Sequence, residues 1–440
     1  MSIAGTVMLA SGMCTGASAV WWLRSLVAFG TGVQPAGDAR EIAAAAPVEL
    51  RTAVLVVADS RQRPHMFAAL GLGSVDSGFP TLEDWVYTDY GLQIDFLMMA
   101  GQTRKDWAGE DALDAFAQVL AVPKVTVVFP DPGVVRLQLR VFDTLADPTK
   151  VSGVPNGVDL EAIPVGVLED GGTWYLALLY RHLLIAGGTN AGKGGLVWAI
   201  IAGLAPAIAS GLVELWVADP KGGMEFGRGK ALLTRFEYTD EGIVAMMADA
   251  EALMLERAAR CREAGIEKHV PTPDEPLIVI IVDEGASMTS YAEPDTMRKF
   301  DRHFGKLLTQ GRAPGICVIT CVQDPSKETL PQRQLIPIRI ALRLDEKTQI
   351  GMVHGDSARE RGARCDEIPY TTPGVAYVRE DGTPNIVRAR SYFVSREDIA
   401  ALCEQYAPRG HDIDLAPQGD YSDFDPDDLG DESEDGPVAA

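Results

Sequence analysis

The chain predicts an α/β architecture with a parallel-type central sheet, preceded by a small α+β domain, and three observations carry that prediction. From about residue 163 onward, short uninterrupted apolar runs alternate with long amphipathic segments. The runs are "HLLIAG", "LVELWVA", "LIVIIVDE", "ICVITCV" and "IRIALRL". Strands apolar on both faces belong in a parallel sheet covered by helices on both sides. Residues 48–150 read differently, with several strand-like runs around one helical pattern. Between the two lies the Pro/Gly-rich "DPTKVSGVPNGVDLEAIPVG", a natural boundary.

Taken in order, residues 2–23 carry no charge, hold Trp21 and Trp22 near one end, and are followed by Arg24. Interfacial aromatics and a flanking cation suit a membrane anchor over residues 1–30, but the Gly/Ala/Ser-rich composition suits a buried helix equally. An Ala-rich linker at 35–47 leads into the small domain. There "TAVLVVADS" is expected as a strand, followed by the strand "GLQIDFLMMAG", the helix "EDALDAFAQVLAV", and the strands "KVTVVFP" and "VVRLQLRVF". The larger domain is expected over 163–395, with helices in "EGIVAMMADAEALMLERAARCREAG" and "DTMRKFDRHFGKLLTQ". The uncharged stretch 194–213 would pass a hydropathy window for a membrane span. It contains Pro206 and runs straight into a strand, so a core helix is the expectation there.

Composition sets further bounds. The net charge of -23 argues against coating nucleic acid by bulk electrostatics. Residues 412–435 hold eleven acidic residues and no Lys or Arg, which predicts a disordered acidic tail over 411–440. Six cysteines without a C-x-x-C pair suggest neither a disulfide framework nor a zinc site.

The chemistry is concentrated in the larger domain. "GGTNAGKG" places Gly187, Gly188, Thr189, Asn190, Ala191, Gly192, Lys193 and Gly194 between a buried strand and an apolar helix. In that setting backbone N–H groups and the helix N-terminus converge on phosphate oxygens, and Lys193 neutralises the β and γ phosphates. The motif normally ends in Ser or Thr, whose hydroxyl ligates magnesium. Gly194 has none, which predicts retained ATP binding with slowed hydrolysis. "PLIVIIVDEGASM" ends a strand in Asp283 and Glu284, one to hold Mg2+ through its water shell and one to polarise the attacking water. Gln323, at the carboxyl tip of "ICVITCV", is placed to face the γ-phosphate.

In order and spacing, "HLLIAGGTNAGKGG", "WVADPKGGMEF", "IVIIVDEGASM", "TQGRAPGICVITCVQDPS" and "IPIRIALRL" resemble the motor of the FtsK/SpoIIIE DNA translocases. "DPKGGMEF" and the GKG-type loop are closer to the actinobacterial transfer proteins of plasmids and integrative elements. "GLQIDFLMMAGQTRKDW" is similar to the small domain that precedes that motor. The resemblance implies a RecA-like P-loop NTPase core and a homo-hexameric ring around double-stranded DNA, with ATP between subunits and the motor cytoplasmic or membrane-anchored. It also implies Asp283 and Glu284 as Walker B residues, Gln323 as sensor, and an arginine supplied in trans. Arg312, Arg339 and Arg343 are candidates for that arginine. Pore loops would contact phosphates through Lys221, Arg228, Lys230, Lys327 and Arg333. Only about twenty residues separate the motor from the acidic tail, too few for the winged-helix module that reads oriented DNA. The other readings are a type VII-like protein-export ATPase, which normally carries tandem motors, and a hydrolysis-impaired nucleotide-binding regulator.

Overall fold

The computed structural model describes residues 38–151, 158–359, 361–380, 382–383 and 385–408. The expected N-terminal anchor and the acidic tail lie outside the described residues.

The first unit begins with helices α1 (Ala39–Ala45), α2 (Arg51–Ala58) and α3 (Gln62–Ala69). Strands β1 (Thr81–Thr88) and β2 (Gly91–Leu97) follow, then α4 (Arg104–Ala108), α5 (Glu110–Leu120), β3 (Lys124–Val128) and β4 (Val134–Arg140). The four strands pair antiparallel in the order β1-β2-β4-β3. Along β4 the pleat buries Val135, Leu137 and Leu139 and leaves the alternate residues half-buried, so one face meets the helices. Phe67 and Phe96 meet edge-to-face at 5.1 Å, and Trp107 stacks on Phe116 at 5.8 Å, in the centre of that interface.

Two expectations fail here. The Ala-rich linker contains helix α1, and "TAVLVVADS" forms α2 rather than a strand. Its buried positions are Ala53, Val54 and Val57, a helical spacing that puts one stripe against the core. β-Branched residues cost only a few tenths of a kcal/mol each in a helix, less than the packing of that stripe returns.

The larger unit comprises β5 (Ile163–Leu168), β6 (Thr173–Leu176), β7 (Leu183–Ala186), α6 (Lys193–Ala209), β8 (Val213–Ala218), β9 (Arg235–Glu237) and α7 (Asp240–Ala264). It continues with β10 (Leu277–Val282), α8 (Pro294–Gln310), β11 (Ile316–Val322), β12 (Ile338–Ala341), α9 (Lys347–His354), β13 (Val375–Arg379), β14 (Val387–Ser391) and α10 (Arg396–Tyr406). One ten-stranded sheet has the order β6-β5-β14-β13-β12-β7-β11-β10-β8-β9. The half from β12 to β9 is parallel, as expected. The other half, β6 to β13, is an antiparallel extension with no counterpart in the expectation.

Strand β7 shows why its sequence is apolar throughout. Leu183 and Ile185 face a core built on α6, whereas Leu184 and Ala186 face Ile243, Met246, Phe300 and Phe304 of α7 and α8. Helix α6 is buried nearly all round, and each fully buried Leu or Ile contributes about 1.5–3 kcal/mol relative to exposure. Pro206 sits in its last turn, where its carbonyl still accepts from Ser210 N at 3.1 Å. Among the described residues no helix is long and apolar enough to cross a membrane.

The two units are joined by charge. Glu110 at the start of α5 accepts from Arg359 at 2.9 Å and Arg364 at 2.6 Å, which holds its carboxyl down at about 2. Arg388 of β14 bridges Asp143 and Glu169, each at 2.8 Å.

Candidate nucleotide site

The parallel half of the sheet collects the sequence motifs at one edge. Gly187 follows β7, Asp219 follows β8, Asp283 follows β10, Gln323 follows β11 and Arg343 follows β12. In an open α/β sheet that carboxyl edge is where ligands bind. The strand before the loop, β7, is not adjacent to β10; β11 lies between them, so Gln323 stands between loop and carboxylates.

The loop is moored on both sides. Gly187 N donates to Val322 O at 3.1 Å, Gly188 N to Arg343 O at 2.8 Å, and Gly374 N to Ala191 O at 2.9 Å. Asn190 and Gly192 adopt left-handed φ values of 58° and 102°. A Cβ at Gly192 would stand 2.4 Å from Gly374 N, so only glycine fits there. Lys193 Nζ curls back to Gly187 O at 2.7 Å and Gly188 O at 3.3 Å, and burial pushes its pKa down. Its ammonium thus sits inside the concavity of the loop. The loop's residues 189–194 precede or open α6, where N–H groups lack helical partners.

Glu284 and Gln323 form a polar relay into this loop. Gln323 Nε2 donates to Glu284 Oε2 at 2.7 Å, Gln323 N donates to Glu284 Oε1 at 3.2 Å, and Thr189 Oγ1 donates to Gln323 Oε1 at 3.1 Å. Glu284 is buried and has φ 57°, a conformation costing a non-glycine residue about 1–3 kcal/mol. Gly285 N anchors the turn on Cys321 O at 2.8 Å. Strain held by surrounding bonds aims the carboxylate across β11.

Several expected roles do not survive the geometry. Lys221, expected to touch DNA, places Nζ 3.0 Å from Asp283 Oδ2 and 3.9 Å from Glu284 Oε2. Its head is drawn to the carboxylates at the end of β10 rather than held out on its loop. Arg333 is buried and donates Nε to Met352 O at 3.2 Å, so its head does not reach a phosphate backbone. Arg343 is 5% exposed, donates to Thr189 O, and stacks on the Tyr370 ring at 3.7 Å. It braces its own loop, which conflicts with a role in trans. Arg339 donates to the carbonyls of Ile336, Val353 and Arg333 at 2.9–3.2 Å, and burial brings its pKa down to about 10. That side chain is structural too. Arg312 is exposed and donates Nε to Tyr180 O at 2.8 Å. Arg228 and Lys327 are also exposed, and Lys230 is half-buried.

Two residues were missed. Asp219 is fully buried and caps the β8–β9 connection by accepting from Lys221 N, Glu225 N and Phe226 N at 3.0–3.3 Å. Glu225 reaches the start of α6, and burial together with the Asp283 charge pushes its carboxyl pKa up. "ADPKGGMEF" contained both signals, since an Asp at a strand tip followed by paired glycines marks a tight excursion back to the sheet edge.

Among the described residues no group of three or more His, Cys, Asp or Glu could hold a metal ion, so a divalent cation here would rest on Asp283, phosphate oxygens and water. The Lys221 ammonium now sits against that carboxylate at 3.0 Å. Asp283 and Glu284 would face the ion and the attacking water respectively.

Comparison with known proteins bears on the family and the fold. Residues 144–271 match the model of the FtsK/SpoIIIE family. Transfer protein TraSA of Streptomyces ambofaciens is 28% identical over 342 residues, covering 69% of this chain and 79% of that protein. DNA translocase FtsK of Campylobacter jejuni is 26% identical over 249 residues, covering 51% of this chain but only 24% of that protein. The monomer form of the pCW3 conjugation coupling protein TcpA with ATPγS superposes with a TM-score of 0.51 at 16% identity, covering 79% of this chain and 99% of that one. At that identity the likeness speaks to the fold alone. Residues 144–271 are thus similar to the FtsK/SpoIIIE family, and the relatives matched over a longer stretch of the chain are a transfer protein and a DNA translocase.

Proposed function

We propose that this protein is an ATP-dependent double-stranded DNA translocase that serves conjugative DNA transfer. The observation that supports the reading is the Thr189–Gln323–Glu284 hydrogen-bond chain, which ties the loop after β7 to a carboxylate that would serve as general base. A motor-derived scaffold without turnover would have no use for a strained, buried Glu284. The relatives named as a transfer protein and as a DNA translocase favour DNA over protein as cargo.

In this reading Lys193 leaves the loop carbonyls for the phosphate oxygens, and the free N–H groups at the start of α6 take the remaining charge. Glu284 accepts a proton from the attacking water, and Gln323 holds the carboxylate in line while sensing the γ-phosphate through Thr189. Magnesium, held by phosphate oxygens, waters and Asp283, would neutralise charge on the β and γ phosphates. Lys221 must withdraw from Asp283 for that to happen. Subunits assemble as a hexamer, and Arg312 is the arginine offered to the neighbouring nucleotide, being the exposed one of the three candidates. Arg228, Lys230 and Lys327 make sequence-independent phosphate contacts, so an acidic chain can still move DNA.

ATP turnover of the full chain with and without duplex DNA tests this, alongside Lys193→Ala and Glu284→Gln. DNA should stimulate turnover, and both substitutions should lower it by about a hundredfold or more. Turnover indifferent to DNA and to Glu284→Gln would sink the translocase reading.

A further inference from the structure

Position 194 is where a phosphate loop ordinarily carries a hydroxyl, and the space for that side chain is already taken. A Cβ built on Gly194 would stand 1.8 Å from Glu225 Oε1 and 2.8 Å from its Cδ. At Gly195, one residue on, a Cβ would meet nothing within 4 Å. The occupation is therefore specific to the position that normally ligates metal.

The backbone carrying Glu225 is fixed. Its N–H and that of Phe226 both donate to the buried Asp219, and the Phe226 ring packs on Trp198 of α6 at 5.6 Å. The carboxylate is thus delivered to the first turn of α6 by contacts with α6 itself. Four residues earlier on the same connection, Lys221 sets a positive charge 3.0 Å from Asp283. A cation carried by this connection therefore rests against the carboxylate that ends β10.

We propose that the Glu225 carboxylate replaces the missing hydroxyl of position 194 as the protein's loop-side oxygen ligand for the nucleotide-bound magnesium ion. The proposal rests on the ATP-binding reading above. Magnesium takes hard oxygen donors and is commonly held through one or two carboxylates plus phosphate oxygens, so a carboxylate is a chemically sound exchange for a hydroxyl. The exchange also accounts for glycine at 194, since any side chain there would push the Glu225 head aside. The variant loop has changed its donor, not lost it.

The test measures affinity of the full-length protein for ATPγS in Mg2+ and in EDTA, with Mn2+ binding followed by electron paramagnetic resonance. Mg2+ should tighten binding to the wild type, and Glu225→Gln should lose about tenfold or more of that tightening while its affinity in EDTA is unchanged. Gly194→Ser/Glu225→Gln should recover it, with circular dichroism confirming the fold of each variant. Unaltered Mg2+ dependence in Glu225→Gln would overturn the proposal. So would tighter binding in both conditions alike, which would make the carboxylate a mere competitor of phosphate. If the wild type and Lys193→Ala bind ATPγS equally poorly, the nucleotide reading fails and takes this proposal with it.

Discussion

The two ends of the parallel strands use the same residue types for opposite purposes. At the amino end, cations are spent on backbone carbonyls. Arg257, 3% exposed, donates to Pro276 O at 2.8 Å and to Pro314 O and Gly315 O at 3.3 Å, and Arg339 serves three carbonyls likewise. His182 is fully buried there and accepts from Val318 N at 3.0 Å. At the carboxyl end, Lys193 and Lys221 hold partners that a ligand can replace. Buried carbonyls need permanent donors, so the amino edge is stapled; at the carboxyl edge Arg343 is a staple of the same kind, whereas Lys193 and Lys221 are satisfied provisionally.

That contrast can be broken in four places. The largest effect belongs to Glu284→Gln, which should lower kcat by about 10²- to 10⁴-fold, the usual worth of a general base, with the melting temperature little changed. Arg257→Ala should do the reverse. It leaves buried carbonyls unsatisfied and should cost about 3 kcal/mol in denaturant unfolding, with turnover per folded molecule intact. A loss of turnover without loss of stability would erase the distinction between the edges.

Acid sharpens it further. Burial, with the nearby Arg312 charge, lowers the His182 pKa to about 3, and burial with Arg379 and Arg339 does the same to His354. Both stay neutral when folded but take a proton near 6.5 when unfolded. Stability is therefore full above about pH 6.5 and falls as pH drops toward 3, by about 1.4 kcal/mol per pH unit for each histidine. Chemical denaturation across that window should show the slope, and His182→Gln should reduce it. The smallest effect is at Lys221. Its half-exposed pair with Asp283 is worth up to about 1 kcal/mol, so Lys221→Met should raise divalent-cation affinity about fivefold by titration.

How far the molecule could be read in advance follows the same division. Strand tips were legible because an apolar run names its own end, and Gly187, Asp283 and Gln323 each sit one residue past it. The fate of long side chains was not. Arg333 and Arg343 look like surface cations in sequence, yet each turns inward to carbonyls contributed by residues far along the chain. Lys221 and Glu225 were hidden for a related reason, since two left-handed glycines, Gly222 and Gly223, fold their loop back onto the sheet edge. Helix α2 was misread because valines vote for strand locally and only tertiary packing overrules them.

The close approach of Gly192 to Gly374 ties two distant segments together in space. Gly374 immediately precedes β13, in the antiparallel half of the sheet, and a methyl group at 192 would collide with its nitrogen. Gly374 is held to glycine on its own account, at φ 87° with Ser391 Oγ 2.7 Å from where a Cβ would stand. What looks like an ornamental wing on a nucleotide-binding core is the floor of its loop, and a chain trimmed of β13 and β14 would forfeit the shape of the phosphate cradle along with two strands.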